Sequence, residues 1–254
     1  AVLDYLFIVV FQLGVAGAAL ATGIGQCIPA VVGLIFFLTN KQGLHFTKFS
    51  FYKRELLQAC YNGSSEMVSQ LSMAVVTVLF NIVLMRIAGE HGVAAITILL
   101  YGQFLFNSFY LGFSIGVAPI VGFQYGARNK VLLRRVYRIS FLFVIASSIF
   151  LLGASEALSR PIITIFTHDA ETFPLALTGF RLFAFCFLFS GVNITSSGFF
   201  TALSNGRVSA ILSFCRTFVF TAACLLVLPH FLGINGAWIA VPAAEGLTLL
   251  ISLY

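Results

Sequence analysis

Asp4 stands inside an otherwise apolar run, A-V-L-D-Y-L-F-I-V-V. An ionisable side chain at membrane depth is costly to place, so it marks an ion or proton pathway by default. Leu13 is followed by Gly14, a natural turn. Asp4 lies 9 residues before that turn and Thr22 lies 9 residues after it. At about 1.5 Å per residue, a hairpin closed at Leu13 puts both groups roughly 13 Å below one face of a ~30 Å hydrocarbon core. A carboxylate and a hydroxyl at that level offer hard oxygen ligands to Na⁺, or a lone base to a proton. The plainer reading is that Asp4 braces a helix end.

Glu66 ends the stretch N-G-S-S-E at the head of another apolar run. A helix macrodipole, with Ser64 or Ser65 as cap, accounts for a carboxylate there. Ser69, Gln70 and Asn81 follow on nearly the same helical face, which makes that face polar and offers a second coupling site. Glu245 is 13 residues past Leu232, and Arg216 is about 10 residues into the run that begins at 207. The two could neutralise each other across adjacent helices, as a structural ion pair or as a coupling site.

Little else offers chemistry. There is no Walker loop, no H-E-x-x-H spacing and no nucleophile elbow. His45, His91, His168 and His230 are scattered at the edges of apolar runs, and the 5 cysteines lack a C-x-x-C pair. Neither an enzyme nor a bound cofactor is expected; the ion in play is Na⁺ or H⁺, as a coupling ion. Asn62-Gly63-Ser64 and Asn193-Ile194-Thr195 match a glycosylation pattern, but one falls on the cytoplasmic side and the other inside an apolar run.

The elements that must position these groups follow from composition. Of the 254 residues 60% are hydrophobic and 9% are charged, against about 25% charged in a soluble domain. The 29 phenylalanines outnumber all 22 charged side chains. Apolar runs of 18 or more residues recur along nearly the whole chain, so the bilayer is the solvent. They are continuous rather than alternating, which excludes a transmembrane β-barrel. Apolar runs and their polar or Gly/Pro breaks predict eight helices, at 1–12, 14–39, 64–88, 93–125, 134–155, 173–203, 207–229 and 234–254.

Orientation follows from the connections. Lys41, Lys48, Lys53, Arg54, Arg128, Lys130, Arg134, Arg135, Arg138 and Arg207 are 10 of the 14 basic residues and fall in alternate connections, which places those on the cytoplasmic side. The bias explains the net charge of +6 without a nucleic-acid partner. The segment 41–62 mixes charge with Leu44, Phe46, Phe49, Phe51, Leu56 and Leu57, a pattern for a helix lying in the cytoplasmic interface. It divides the last two helices of one half (1–40) from a second half of six helices (63–254). Both ends of the chain lie inside apolar runs, so we expect a piece of a longer protein with four helices before Ala1.

The nine residues L-G-V-A-G-A-A-L-A (Leu13 to Ala21) return as L-G-I-N-G-A-W-I-A (Leu232 to Ala240), with 5 identities at an offset of 219. Both copies cross the membrane in the same direction, so the repeat is parallel, with its axis along the membrane normal. Asp4 and Thr22 map onto Ala223 and Val241, both apolar. The repeat therefore carries architecture, and its mismatches point to a site.

Four stretches carry a family resemblance: Ala1 to Thr22, G-V-A-P-I-V-G-F-Q-Y-G-A-R-N (Gly116 to Asn129), F-F-T-A-L-S-N-G-R-V-S-A-I-L-S-F-C-R (Phe199 to Arg216) and L-G-I-N-G-A-W-I-A-V-P-A-A-E (Leu232 to Glu245). Together they resemble helices five to twelve of the multidrug and toxic compound extrusion (MATE) transporters, over essentially the whole chain. The resemblance implies an all-α polytopic membrane protein of two six-helix lobes, here the end of the first and the whole second. It implies an antiporter that exports drugs or other amphipathic or cationic small molecules by alternating access, coupled to Na⁺ or H⁺. Its cation site in the first lobe would include Asp4 and Thr22. Some members instead carry an acidic residue in the middle of helix seven; Glu66 lies on that helix, nearer its start. The alternative within the superfamily is a flippase for lipids or lipid-linked oligosaccharides. Such a protein needs a cationic cavity, for which Arg181 and Arg216 are the candidates. A monomer in the plasma membrane (the inner membrane of a prokaryote), bathed in lipid, is expected.

Overall fold

The computed structural model describes residues 2–40 and 51–252, with the side chains of Val9, Asn62, Ser65 and Glu66 outside the description. All regular structure among the described residues is helical. We number the helices α1 (2–10, π-helical from Tyr5), α2 (Gly14–Thr39), α3 (53–88), α4 (90–126), α5 (Lys130–Ala157), α6 (Ser159–Phe166), α7 (Thr172–Ala184), α8 (Cys186–Ala202), α9 (Gly206–Leu232, π-helical over Cys215–Phe220) and α10 (Ile234–Ser252). Two compact units result, Ala1–Lys53 and Arg54–Tyr254. The second holds six spans, with α7 and α8 forming one span bent by 48° at Phe185.

Each expected span is present, with three differences. Residues 53–62 continue into α3 without a break, while the part of the interfacial connector at 41–50 lies outside the described residues. The helix therefore begins 13 residues before Glu66, so a helix-terminus account of that carboxylate fails. Ser64 returns its hydroxyl to the Tyr61 carbonyl at 2.7 Å instead of capping. The short α6 and the break at Phe185 left no mark in the apolar pattern. At that break the Tyr110 hydroxyl of α4 donates to the Phe187 carbonyl at 3.0 Å, so a backbone acceptor is not left unpaired in the apolar interior.

Three hairpins turn on the same device. Gly14, Gly89 and Gly233 have φ of +55°, +62° and +57°, and at Gly89 and Gly233 the ψ values of −149° and −137° fall in a region that only glycine enters readily. Three residues after each comes a second glycine that lets the returning helix touch the one before it. A Cβ on Gly17 would stand 2.9 Å from the Phe7 carbonyl oxygen, on Gly92 3.2 Å from that of Leu84, and on Gly236 2.3 Å from that of Leu228. The G-x-x-G spacing thus recurs in the first and third hairpins, where the sequence repeat shows it, and in the α3–α4 hairpin, where little else of the repeat survives.

The turns after α4 and α8 are built differently. After α4 the amides of Arg128 and Asn129 bond the carbonyls of Tyr125 and Gln124; after α8 those of Ser204 and Asn205 bond the carbonyls of Thr201 and Phe200. Arg128 and Ser204 take the left-handed position of these Schellman closures, with φ of +54° and +60°.

Packing is uneven along the membrane normal. Phe80 and Leu84 of α3, Ile96 and Leu99 of α4, Phe180 of α7, Leu225 of α9 and Trp238 of α10 form one fully buried cluster toward the ends of the helices that carry Gly89 and Gly233. Lipid tails are as apolar as these side chains, so close van der Waals fit rather than exclusion of water holds this end together. Toward the ends that carry Arg128 and Ser204 the same bundle is lined by hydroxyls.

A buried charge pair between two cavities

α10 carries Glu245 into the interior of the second unit, where 5% of the residue is accessible. α9 delivers Arg216 from its π-helical turn, a widened turn of the kind that recurs at functional sites. The Thr221 hydroxyl donates to the Arg216 carbonyl at 2.8 Å across that turn. Arg216 Nη1 then meets Glu245 Oε1 at 3.3 Å. From α8, Asn193 donates its Nδ2 to Glu245 Oε2 at 2.7 Å and to the Glu245 carbonyl at 2.9 Å. Ser252 donates to Asn193 Oδ1 at 3.1 Å, which fixes the amide so that its NH₂ faces the carboxylate. Both carboxylate oxygens are therefore engaged, one by a cation and one by a neutral donor.

A cavity of about 70 Å³ adjoins the pair, lined also by Thr77 of α3 and by Gln103 and Asn107 of α4. Arg216 Nε and Asn107 Oδ1 are buried and have no hydrogen-bond partner among the described residues. One is a donor and the other an acceptor, and unpaired buried groups of this kind call for water or a ligand. Toward the ends that carry Arg128 and Ser204 lies a larger cavity of about 470 Å³, whose lining includes Ser69 and Gln70 of α3, Ser114 of α4, Ser197 of α8, Ser213 and Arg216. Its wall holds a linked set of hydroxyls: Ser197 to Ser209 at 2.9 Å, Ser197 to Ser213 at 3.0 Å and Thr201 to Ser209 at 2.8 Å. A third cavity of about 380 Å³ is lined by Thr77, Asn81, Thr97 and Tyr101.

The residues singled out in the sequence are distributed as follows. Arg216 and Glu245 come into contact. Gln70 lines the hydroxyl-lined cavity to which Arg216 also contributes; Glu66 is helical in backbone, with its side chain outside the description. In the first unit Asp4 is half-buried at the head of the π-helical turn, and Thr22 is exposed with its hydroxyl donated to the Ala18 carbonyl at 3.0 Å. Gly17 and Ala21 form the buried face of α2, so Thr22 stands one residue off the line of contact with α1.

Sequence reasoning missed Asn193, Asn107, Gln103 and the hydroxyl set. A signal was present: Ser209, Ser213, Thr217 and Thr221 recur every four residues along an apolar run, and Gln103 and Asn107 do the same. Asn193 entered only as a discounted glycosylation match; its burial at 2% is consistent with that discount, and its amide serves the carboxylate instead.

Comparison with known proteins agrees with this architecture. The human multidrug and toxin extrusion protein 1 is 26% identical over 94% of this chain and 42% of its own length. The Staphylococcus aureus multidrug export protein MepA is 22% identical over 99% of this chain and 56% of its own length. The chain thus spans about half the length of these curated relatives. Among solved structures, an outward-facing multidrug resistance MATE family transporter of the MOP superfamily superposes with a TM-score of 0.84 at 24% identity, covering 99% of this chain and 57% of that one. A MOP-superfamily transporter from Pyrococcus furiosus superposes with a TM-score of 0.84 at 23% identity, over 99% and 57%. The two-lobe fold, present here as the end of one lobe and the whole of the next, is therefore shared. Residues 67–226, the body of the six-span unit, match the MatE family itself, and the chain belongs to that family.

Proposed function

We propose that this chain forms part of a cation-coupled antiporter that exports drugs or other amphipathic or cationic small molecules by alternating access. The observation that carries the reading is the buried Arg216–Glu245–Asn193 constellation set between cavities, in a bundle whose relatives are named for multidrug export. Ionisable groups at membrane depth are costly even when paired, which makes such a pair a candidate for function. Na⁺ or H⁺ bound by Asp4 and Thr22 in the first lobe, with the Arg216–Glu245 group as a second polar site, biases which lobe arrangement is stable. Exposed aromatics of α4, Tyr101 at 61% and Phe104 at 69%, offer an apolar wall to an amphipathic substrate. The protein acts as a lipid-embedded, multi-pass monomer of the plasma membrane.

The flippase alternative needs free positive charge for a pyrophosphate headgroup. Arg216 is neutralised by Glu245, and Arg181 pairs with Glu156 at 3.8 Å, which speaks against that reading.

Reconstitution tests the proposal. The full-length parent, in proteoliposomes carrying a Na⁺ or H⁺ gradient, is expected to drive efflux of a cationic dye, and Asp4→Asn is expected to abolish the gradient dependence. Dye efflux indifferent to both gradients would overturn the antiporter reading. Unchanged coupling in Asp4→Asn would remove Asp4 from the site.

A further inference from the structure

α5 uses one side for packing and leaves the other bare. Its buried residues Ser140, Val144 and Ser148 recur every four positions. On the same side Tyr137 meets Phe199 of α8 edge-on, with ring centroids 5.5 Å apart. A second line along the helix, Arg134, Arg138, Leu142, Ile145 and Ile149, steps by four, four, three and four, and every member is exposed.

The helix is also longer than a bilayer core. Its 28 residues run for about 42 Å, whereas a ~30 Å core takes about 20 residues. The surplus falls at its start, because Ile139 to Ala154 holds no charge. That start is cationic: Arg128, Lys130, Arg134, Arg135 and Arg138 fall within 11 residues, all exposed, with no acid between them. None of the five forms an ion pair with a carboxylate among the described residues. At the far end of the same helix, by contrast, Glu156 meets Arg181 at 3.8 Å.

We propose that this face of α5 binds an anionic phospholipid, its phosphate among Arg134, Arg135 and Arg138 and an acyl chain along Leu142, Ile145 and Ile149. The site is separate from the Arg216–Glu245 group, and the proposal stands whatever the transporter exports. Guanidinium groups present paired N–H donors that match phosphate oxygens. Several Lys or Arg at the polar end of a span gather acidic lipid, and a zwitterionic head would set its own ammonium against them. From Arg138 to Ile149 the helix rises by roughly 16 Å, so one lipid can lay its head on the arginines and its tail on the stripe. A soluble anion would use the arginines and leave the stripe idle. A protein partner would have to bring carboxylates against five cations. Charge and apolar stripe on one helix face match a molecule that carries both.

The test measures lipid binding to the full-length protein in a neutral detergent by native mass spectrometry. Its probes are phosphatidylglycerol, phosphatidylcholine and glycerophosphoglycerol, the headgroup without tails. Wild type is expected to prefer phosphatidylglycerol to phosphatidylcholine by roughly tenfold or more, with the preference shrinking as salt rises. Each arginine near an acidic head is worth about fivefold, so Arg134→Gln, Arg135→Gln and Arg138→Gln combined should weaken phosphatidylglycerol on the order of a hundredfold. Leu142→Ser with Ile149→Ser touches no charge and should weaken the same lipid several-fold, which carries the test if the triple variant does not fold. Equal affinity for the two lipids in the wild type, or undiminished phosphatidylglycerol binding in both variants, would overturn the proposal. Refusal of both lipids would overturn it too, and would mean that another part of the full-length protein covers α5. Glycerophosphoglycerol bound as tightly as the intact lipid would replace the lipid site with one for a soluble anion.

Discussion

Gly236→Ala tests the hairpin that holds Glu245 against Arg216. A Cβ at this position would lie 2.3 Å from the Leu228 carbonyl oxygen, 2.4 Å from its carbon and 2.6 Å from the Pro229 nitrogen. All three are backbone atoms, so no rotamer change relieves them. Non-bonded carbons sit at about 3.5–4.0 Å, so α9 and α10 must part by roughly an ångström at this level. Overpacking of a fitted interior costs about 1–3 kcal/mol, and a clash with rigid backbone belongs at the top of that range. Gly246→Ala is the control in the same helix: its nearest neighbour would be a Phe189 ring carbon at 3.9 Å. There the substitution removes a flexible residue from a helix interior and gains about 0.5–1 kcal/mol. The two variants should therefore differ by roughly 3.5–4 kcal/mol; at about 2–4 °C per kcal/mol their melting temperatures separate by on the order of 10 °C. Thermal unfolding of the full-length protein in detergent reads this directly. Parting the arms also carries Glu245 and Arg216 from 3.3 Å to beyond the ~3.5 Å limit of a hydrogen bond, so the pair itself should loosen. Equal melting temperatures for the two variants would refute the close approach on which the hairpin argument depends.

Two further substitutions probe the ends of the bundle. Ser204→Gly relieves a non-glycine residue held at φ +60° and should raise stability by about 1 kcal/mol; a melting temperature at or below that of the wild type would count against the Schellman closure drawn for this turn. Ahead of α7, Asp169 accepts the Thr172 hydroxyl at 2.6 Å and the Thr172 amide at 2.8 Å, with His91 Nδ1 at 3.2 Å. The Thr172 hydrogen bonds, aided by His91, hold its carboxyl below the ordinary carboxylate range. A lowered folded value means the stabilisation is present above that range and lost as pH falls through the folded value. The wild type should therefore melt above Asp169→Asn near neutrality and converge with it in acid; a gap independent of pH would show that the charge contributes nothing.

How much of this was legible depends on whether a residue acts through the pattern of its own helix or through its neighbours. The spans were legible, because continuous apolar runs of this length mark membrane helices whatever packs beside them. Arg216 and Glu245 were legible as a pair because charge at that depth demands a partner and only adjacent helices could supply one. Asn193 was not, since nothing in N-I-T distinguishes an amide aimed at a carboxylate from one aimed at a backbone. The π-helical turn at Cys215–Phe220 was equally silent: it changes the phase of α9 by one residue, and C-R-T-F-V-F carries neither glycine nor proline to announce it. Glu66 was misjudged because the charged residues of 53–62 read as a separate interfacial segment, whereas helix propagation costs little once a span has nucleated.

The repeat can now be followed past its glycines. Carrying Asp4 and Thr22 across the offset of 219 lands on the apolar Ala223 and Val241, which by itself suggests that the second hairpin lost its polar pair. The structure shows that this hairpin has a pair of its own, again with one member on each arm. Glu245 is 13 residues past Leu232, where Thr22 is 9 past Leu13, and Arg216 is 16 residues before Leu232, where Asp4 is 9 before Leu13. The second pair is thus deeper below its turn by about one helical turn on one arm and two on the other. Depth decides which water reaches a site. A pair far below its turn adjoins the hydroxyl-lined cavity of about 470 Å³, while the turn ends of the same helices are closed around Trp238 and Phe180. What the duplication preserved is a rigid two-glycine hinge able to hold opposed polar groups on its arms; which groups, and at what level, each lobe set for itself, so that one fold can present an acid with a hydroxyl in one half and an acid locked to a guanidinium in the other.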